Sequence, residues 1–472
     1  MSGPAPALLW APRAWVGGRW AEHVLLRIGA DGHWAEVRPG VAAPPQAQVL
    51  AGPVLPGLVN AHSHAFQRAF AGLAEQRESE ADDFWSWRDR MYRVALRITP
   101  AQLRAVAAQL YTELLRGGYT QVCEFHYLHH APDGSAYADP LALSWALADA
   151  AAEAGIGLTL LPVLYQRAGF HQHALRADQR RFATDAGTVR AMQRDLAASA
   201  RPLLNAGVAV HSLRAAEAAA IAALADGLGD MPIHIHVAEQ QAEVDDCVAA
   251  TGLRPIDWLC THAAPDARWQ LVHATHATKA EIDAVARAGA GIVLCPSTEA
   301  NLGDGVPDLP GWLTHGVALS LGSDSQVVRD WPEELRWLEY AQRLVRHERN
   351  VAAEPGREPS TAARLFERVR AGGGAAMGVR RWGFVVGARA DLLLLERQDT
   401  ALLGLPGEHL LDGLIFAAPT RPFARVMVAG RWVSPDRAAI ATRFTQAMQS
   451  LWADPGVATG TTTGTISAIR GA

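Results

Sequence analysis

Eight short apolar runs lie between residues 54 and 346, and all but the seventh are followed by a stretch with helical spacing. The apolar runs cover residues 54–59, 119–126, 156–164, 207–211, 232–237, 270–273, 291–295 and 317–321. Helical patterns fall at 104–115, 141–154, 188–200, 216–225, 241–250, 279–287 and 332–346. Near-continuous apolar strands separated by helices predict a parallel sheet covered on both faces. Eight such units favour closure over an open sheet, so the predicted class is α/β, a (β/α)8 barrel of the TIM type. Ionisable residues fall at the C-terminal ends of these strands, where barrels of this kind build their sites.

Outside that region the pattern changes to short alternating runs. They lie at 7–10, 23–28 and 33–37 before the barrel, and at 390–395 and 425–433 after it, separated by Gly and Pro. These read as a small β-sandwich built from both chain ends. The predicted organisation is residues 1–52 and 381–440 for the two parts of the sandwich and 53–380 for the barrel, with 441–472 as a C-terminal helix and mobile tail. The stretch 456–472 is rich in Gly and Thr and has no apolar period.

A net charge of −5 gives no electrostatic footprint for nucleic acid or anionic membrane. No apolar stretch reaches the roughly 18 residues a span needs. The N-terminus, interrupted by Pro4 and Pro6, lacks a signal-peptide pattern. Cys123, Cys247, Cys260 and Cys295 are far apart, which reads as buried thiols of a reducing compartment. Cytoplasmic localisation is the expectation.

The chemistry starts at Pro56-Gly57-Leu58-Val59-Asn60-Ala61-His62-Ser63-His64. Residues two apart on a strand share a face, so His62 and His64 can offer two imidazoles to one metal from a strand end. Alone, two such histidines could cap a strand by chance. His236 ends the fifth strand, and Asp324 follows the eighth in Leu321-Gly322-Ser323-Asp324. In a barrel these ends converge on one mouth, and His62, His64, His236 and Asp324 are a ligand set for a catalytic divalent metal, zinc first. Iron and manganese remain open, because N/O ligation does not choose sharply. Glu239, three residues past His236, is placed to shuttle a proton; the plainer reading is an acid at a helix start. His273, ending the sixth strand, is preferred over His276 as the residue that orients water or polarises substrate, and His234 reads as structural. The chain has a single lysine, Lys279, and none on the fourth strand. A metal-bridging carboxylated lysine there is therefore excluded, and one metal per subunit is expected.

H-x-H after P-G-L-V-N-A, H-x-x-E, a sixth-strand His and G-S-D resemble the amidohydrolase superfamily in its single-metal deaminase branch. Residues 383–395 and 426–431 are similar to that superfamily's C-terminal sandwich. Within the branch, four stretches resemble the enzymes that deiminate formimidoyl groups. They are His64-Ala65-Phe66-Gln67-Arg68-Ala69, Asp83-Phe84-Trp85-Ser86-Trp87-Arg88, Glu124-Phe125-His126-Tyr127-Leu128-His129 and His211-Ser212-Leu213-Arg214-Ala215. The resemblance implies hydrolysis of N-formimidoyl-L-glutamate to N-formyl-L-glutamate and ammonia, a reaction of histidine breakdown. It also implies a homodimer, and substrate contacts from Gln67, Arg88, Tyr127, His211 and Arg214. Physical chemistry agrees: such a substrate carries two carboxylates, and guanidinium groups bind carboxylates through charge-assisted forks. Arg88, in the loop after the first strand, and Arg214, after the fourth, are then expected to face the mouth, while Trp85 and Trp87 are expected to pack. His171 and His173 read as loop residues.

On this reading Asp324 and His273 position the attacking water or take its proton, and Glu239 passes a proton to the imine nitrogen. Two rivals stand beside it. One is a related deaminase of a purine or pterin ring, which would need a stacking wall rather than two arginines. The other is a barrel that binds without catalysis, which would have lost ligands.

Overall fold

Each of the eight apolar runs contributes a strand to a closed barrel in the computed structural model, which describes residues 8–77, 84–396, 398–418 and 423–453. The strands are β1 (Leu58–Ser63), β2 (Tyr119–His126), β3 (Gly157–Leu164), β4 (Val208–Ser212), β5 (Ile233–Val237), β6 (Trp269–His273), β7 (Gly291–Leu294) and β8 (Ala318–Leu321). They pair in parallel, in the order β4-β5-β6-β7-β8-β1-β2-β3. Pairing of Ala209 with Val163 and Val210 with Leu164 joins β4 to β3 and closes the ring. Every residue of β2, β3, β5 and β6 is buried, as strands covered on both faces must be.

Helices follow the strands and cover them, including Pro100–Arg116, Ala142–Ala154, Ala186–Ala198, Lys279–Ala288 and Trp331–Arg346. Their starts are fixed by side chains. Thr99 with Gln102 and Thr278 with Glu281 form capping boxes, and Asp330 accepts from the N–H of Glu333.

Two expectations change. Residues 54–59 are not one strand. Val54–Leu55 pairs antiparallel with Leu392–Leu395 in the second sheet, and β1 begins only after Pro56-Gly57. Gly57 is needed there, since a Cβ would lie 2.2 Å from Thr120 Oγ1. Arg88 is not in a loop: it belongs to the helix Phe84–Ala95, whose Met91, Tyr92, Val94 and Ala95 are buried. Its aromatic and arginine-rich first half hides the helical period that these later residues carry.

Strands from both chain ends form one eight-stranded sheet around a core of Leu9, Val24, Leu26, Trp34, Leu392 and Met427. The terminal strands Leu8–Val16 and Arg19–Ile28 are longer than the alternating runs indicated. Trp382 Nε1 donates to Gly57 O at 2.8 Å, and Arg389 spans Asp391, Gln121 and the Thr120 carbonyl, tying this part of the chain to the barrel. The helix Arg437–Trp452 starts at an Asp436 cap; the expected tail at 456–472 lies outside the described residues. Among the described residues, no helix is long and apolar enough to cross a membrane.

The helix Thr361–Ala376 packs on the barrel through consecutive glycines. A Cβ on Gly372 would lie 2.0 Å from the Leu319 carbonyl oxygen, and one on Gly373 2.9 Å from Val59 Cβ. In an exposed helix Gly→Ala gains roughly 1 kcal/mol, but here backbone would have to move. Overpacking of this kind costs about 1–3 kcal/mol, so Gly372→Ala is expected to lower Tm in thermal unfolding. Gly169→Ala, at a position with nothing within 4 Å, is the control expected to leave Tm unchanged.

Candidate active site

The strand-end residues singled out in the sequence meet at one point. His62 lies near the end of β1 and His64 directly after it, with ring centroids 4.6 Å apart, as a shared face allows. His236 Nε2 is 2.9 Å from His62 Nε2. Asp324 Oδ1 is 3.5 Å from His62 Nε2 and 3.4 Å from His64 Nε2.

Backbone carbonyls fix two of the rings. His64 Nδ1 lies 2.9 Å from Phe125 O and His236 Nδ1 2.9 Å from His211 O, so Nδ1 holds the proton and Nε2 keeps its lone pair. Burial pushes His62 down to about 3 and lowers His64 and His236 as well, keeping the imidazoles neutral. Burial would raise Asp324, but the His62, His273 and His64 rings hold it well below the usual carboxylate range. Neutral imidazoles around an ionised carboxylate are the donor set a divalent metal takes. Ligand atoms of His62, His64 and Asp324 lie within 4.8 Å of one another, and the His62 and His236 Nε2 atoms, 2.9 Å apart, can share a proton or a cation between them. The residues therefore fit a metal.

Beside this cluster are the two acid/base candidates. His273 Nε2 is 3.6 Å from Glu239 Oε1 and 3.7 Å from Asp324 Oδ2. Burial alone would lower His273, but Glu239, Glu299 and Asp324 outweigh it and push it up to about 10. Burial raises Glu239 in turn, so the pair holds a proton between them. Three strand ends here leave the strand with positive φ, at Ala238 (51°), His273 (70°) and Asp324 (44°). Such backbone persists only where its surroundings hold it. Those surroundings include Asn60, whose Oδ1 accepts from Ser323 N at 3.0 Å and whose Nδ2 donates to Ser323 Oγ at 2.6 Å. Glu124 accepts from Ala65 N at 2.5 Å and Ser63 Oγ at 2.9 Å, on either side of His64.

One cavity opens over the cluster, lined by His64, His236, Glu239, His273 and Asp324 and by the residues the resemblance named: Gln67, Arg88, Tyr127, His211 and Arg214. Gln67 Nε2 donates to Tyr127 OH at 3.2 Å. Arg88 Cζ lies 5.6 Å from the centre of the Tyr92 ring, and Arg214 Nη1 is 3.8 Å from Glu243 Oε2. His276 and His234 are not in the cavity lining; His234 Nε2 lies 2.7 Å from Ala376 O, at the other end of its strand. Trp87 lines the cavity while its ring packs against Phe70 at 5.4 Å; the side chain of Trp85 lies outside the described residues. His171 and His173 are exposed.

Several residues in or beside the cavity were not foreseen. Tyr165 follows β3 directly, as Tyr127 follows β2, and that parallel was a usable signal. Tyr92 comes from the helix that the sequence pattern did not reveal. Glu299, one turn into the helix after β7, touches His273 Nδ1 at 3.4 Å. Asp304 accepts a hydrogen bond from Gln240, and burial raises its carboxyl.

Comparison with known proteins agrees with this geometry. The model of the amidohydrolase family matches residues 54–433. A formimidoylglutamate deiminase of Pseudomonas aeruginosa is 48% identical over 433 residues, covering 91% of this chain and 94% of that protein. The crystal structure of an amidohydrolase from Brucella melitensis superposes with TM-score 0.89 at 41% identity, over 94% of this chain and 99% of that one. An adenosine deaminase from Xanthomonas campestris with bound zinc superposes with TM-score 0.76 at 25% identity, over 96% and 99%.

Removing Asn60 would strand buried groups of Ser323 at about 1–3 kcal/mol each. Asn60→Ala is therefore expected to lower unfolding stability by roughly 2 kcal/mol or more. It should also weaken binding of added zinc by about 10- to 100-fold, measured by denaturation and by metal titration. Unchanged metal affinity would show that this bracket does not hold the cluster.

Proposed function

The chain belongs to the amidohydrolase family, and from that premise we propose that it hydrolyses N-formimidoyl-L-glutamate to N-formyl-L-glutamate and ammonia, a step of histidine breakdown. The observation that carries the reading is a single cavity lined both by the acid/base set and by two arginines, Arg88 and Arg214. Identity of 48% to the Pseudomonas deiminase supports the same substrate.

His62, His64, His236 and Asp324 would hold one divalent metal, zinc by preference. When bound it supplies a Lewis acid and lowers the pKa of a coordinated water toward about 7. Arg88 and Arg214 bind the two substrate carboxylates, one charge-assisted fork each. Gln67, Tyr127 and His211 add hydrogen bonds that set the formimidoyl group over the cluster. Asp324 and His273 orient the attacking water, and Asp324 accepts its proton. Water oxygen bonds to the formimidoyl carbon as Asp324 takes one water proton and Glu239 delivers its proton to the terminal nitrogen; Glu239 then passes the remaining hydroxyl proton to that nitrogen as the carbon–nitrogen bond breaks and ammonia leaves, and the proton on Asp324 returns to Glu239. The proposal extends to a cytoplasmic homodimer, with which four free cysteines accord.

The deciding assay is ammonia release by zinc-loaded protein from N-formimidoyl-L-glutamate, with guanine and adenosine in parallel. Release from the first alone is expected; activity only on a ring would overturn the substrate. Dialysis against a chelator should abolish activity, and zinc should restore it. Glu239→Gln should lower kcat by about 10²–10⁴-fold with the fold intact. Arg88→Met and Arg214→Met should mainly raise KM, by roughly 10- to 100-fold for a lost charge-assisted pair. Near-normal KM in both variants would remove the carboxylate clamp.

A further inference from the structure

We propose that Glu299 is the positioning residue of His273, holding the Nδ1–H of the imidazole so that Nε2 is presented to the reacting centre. Glu299 is 2% exposed and lies on the helix Pro296–Leu302, which starts as β7 ends. Its Oε1 is 3.4 Å from His273 Nδ1 and accepts from Cys295 N at 2.9 Å, so the carboxylate is itself fixed by the backbone at the strand end. With Nδ1 engaged, Nε2 faces Glu239 Oε1 at 3.6 Å and Asp324 Oδ2 at 3.7 Å. An acid/base imidazole whose far nitrogen is held by a buried carboxylate is a general arrangement for fixing tautomer and ring direction.

His273 needs such a hold more than an ordinary strand residue does. It and Ala274 have φ of 70° and 45°, so the pleat of β6 does not dictate where the ring points. The same segment also braces Glu239. Asp304 N donates to Glu299 O at 2.9 Å, and the Asp304 carboxylate accepts from Gln240, the neighbour of Glu239. One short stretch after β7 thus holds both groups proposed to move protons. The rival role for Glu299 is a helix cap through Cys295 N–H alone, and the test separates the two roles.

The kinetic arm rests on the deiminase reading; the spectroscopic arm does not. Protein labelled with 15N-histidine, with His273→Gln used to assign the resonance, reports the His273 nitrogens directly. The expected wild-type signature is a protonated, hydrogen-bonded Nδ1, and a bare Nδ1 would overturn the proposal without any variant. In Glu299→Ala the Nδ1 resonance should move toward that of an unbonded imidazole. Its kcat for N-formimidoyl-L-glutamate should fall on the order of 10²-fold, with KM and zinc content little changed. Glu299→Gln keeps an acceptor oxygen in place and should recover kcat to within about tenfold. A Glu299→Ala protein with lowered Tm but wild-type kcat and His273 signal would reduce Glu299 to a cap and overturn the assignment. So would equal loss of kcat in both variants. Should wild-type protein release no ammonia from this substrate, the deiminase reading fails, while the nitrogen signal still decides the role of Glu299.

Discussion

The site depends on the junction between the last barrel strand and the first. Only the pair Leu321–Asn60 joins β8 to β1 within the strands, and the bridge Ser63–Asp324 continues the contact beyond them. Asp324 N donates to His62 O at 3.0 Å and His64 N to Asp324 O at 3.3 Å, so the backbone of the carboxylate residue is threaded between the two histidines. Side chains supply what the short ladder lacks. Asn60, Ser323, Gln326 and Ser63 form a buried chain of hydrogen bonds across the junction, from Asn60 Nδ2 to Ser63 Oγ through Gln326 Nε2 at 3.1 Å. Buried polar networks rigidify when each member is satisfied. Here that rigidity places a carboxylate and two imidazoles from opposite ends of the barrel segment within reach of one ion.

Asp324 also divides the site electrically. On one side burial strips protons from His62, His64 and His236, leaving lone pairs. On the other, carboxylates crowd His273, and the His273–Glu239 pair retains a proton. The two oxygens of Asp324 face different halves, Oδ1 toward His62 and His64 and Oδ2 toward His273. Opposite pKa displacements side by side are how one protein environment prepares both an electron-pair donor set and a proton source.

What could be read from the sequence was what depends on local periodicity. The alternation of apolar runs and helices gives the barrel, and the parity of His62 and His64 gives their common face. Strand-end position was enough to bring in His236, His273 and Asp324. Long-range contacts left no such trace. The end of β7 carried no conspicuous histidine, so nothing in the pattern singled out Glu299, although it touches His273 from the neighbouring strand end. Residues 54–59 have one continuous apolar character, and only partner strands from elsewhere in the chain divide them between two sheets. Arg88 was placed at the mouth by resemblance but in a loop by pattern, because a helix rich in Trp and Arg shows its period only in its second half.

The arginines illustrate why a charged mouth can be a selective one. Burial and the neighbouring guanidiniums of Arg176 and Arg214 lower Arg88, so positive charge is held there against its preference. Arg214, partly buried, is opposed by burial, but Glu243 and Glu239 outweigh it and raise the guanidinium. On the proposed function, the desolvated charge of Arg88 costs free energy that a dianionic ligand recovers on entry. A neutral ring would recover none of it, even against the aromatic walls of Tyr92, Tyr165 and Phe182. On the proposed function, discrimination comes from buried positive charge that an anionic ligand stabilises and a neutral one does not.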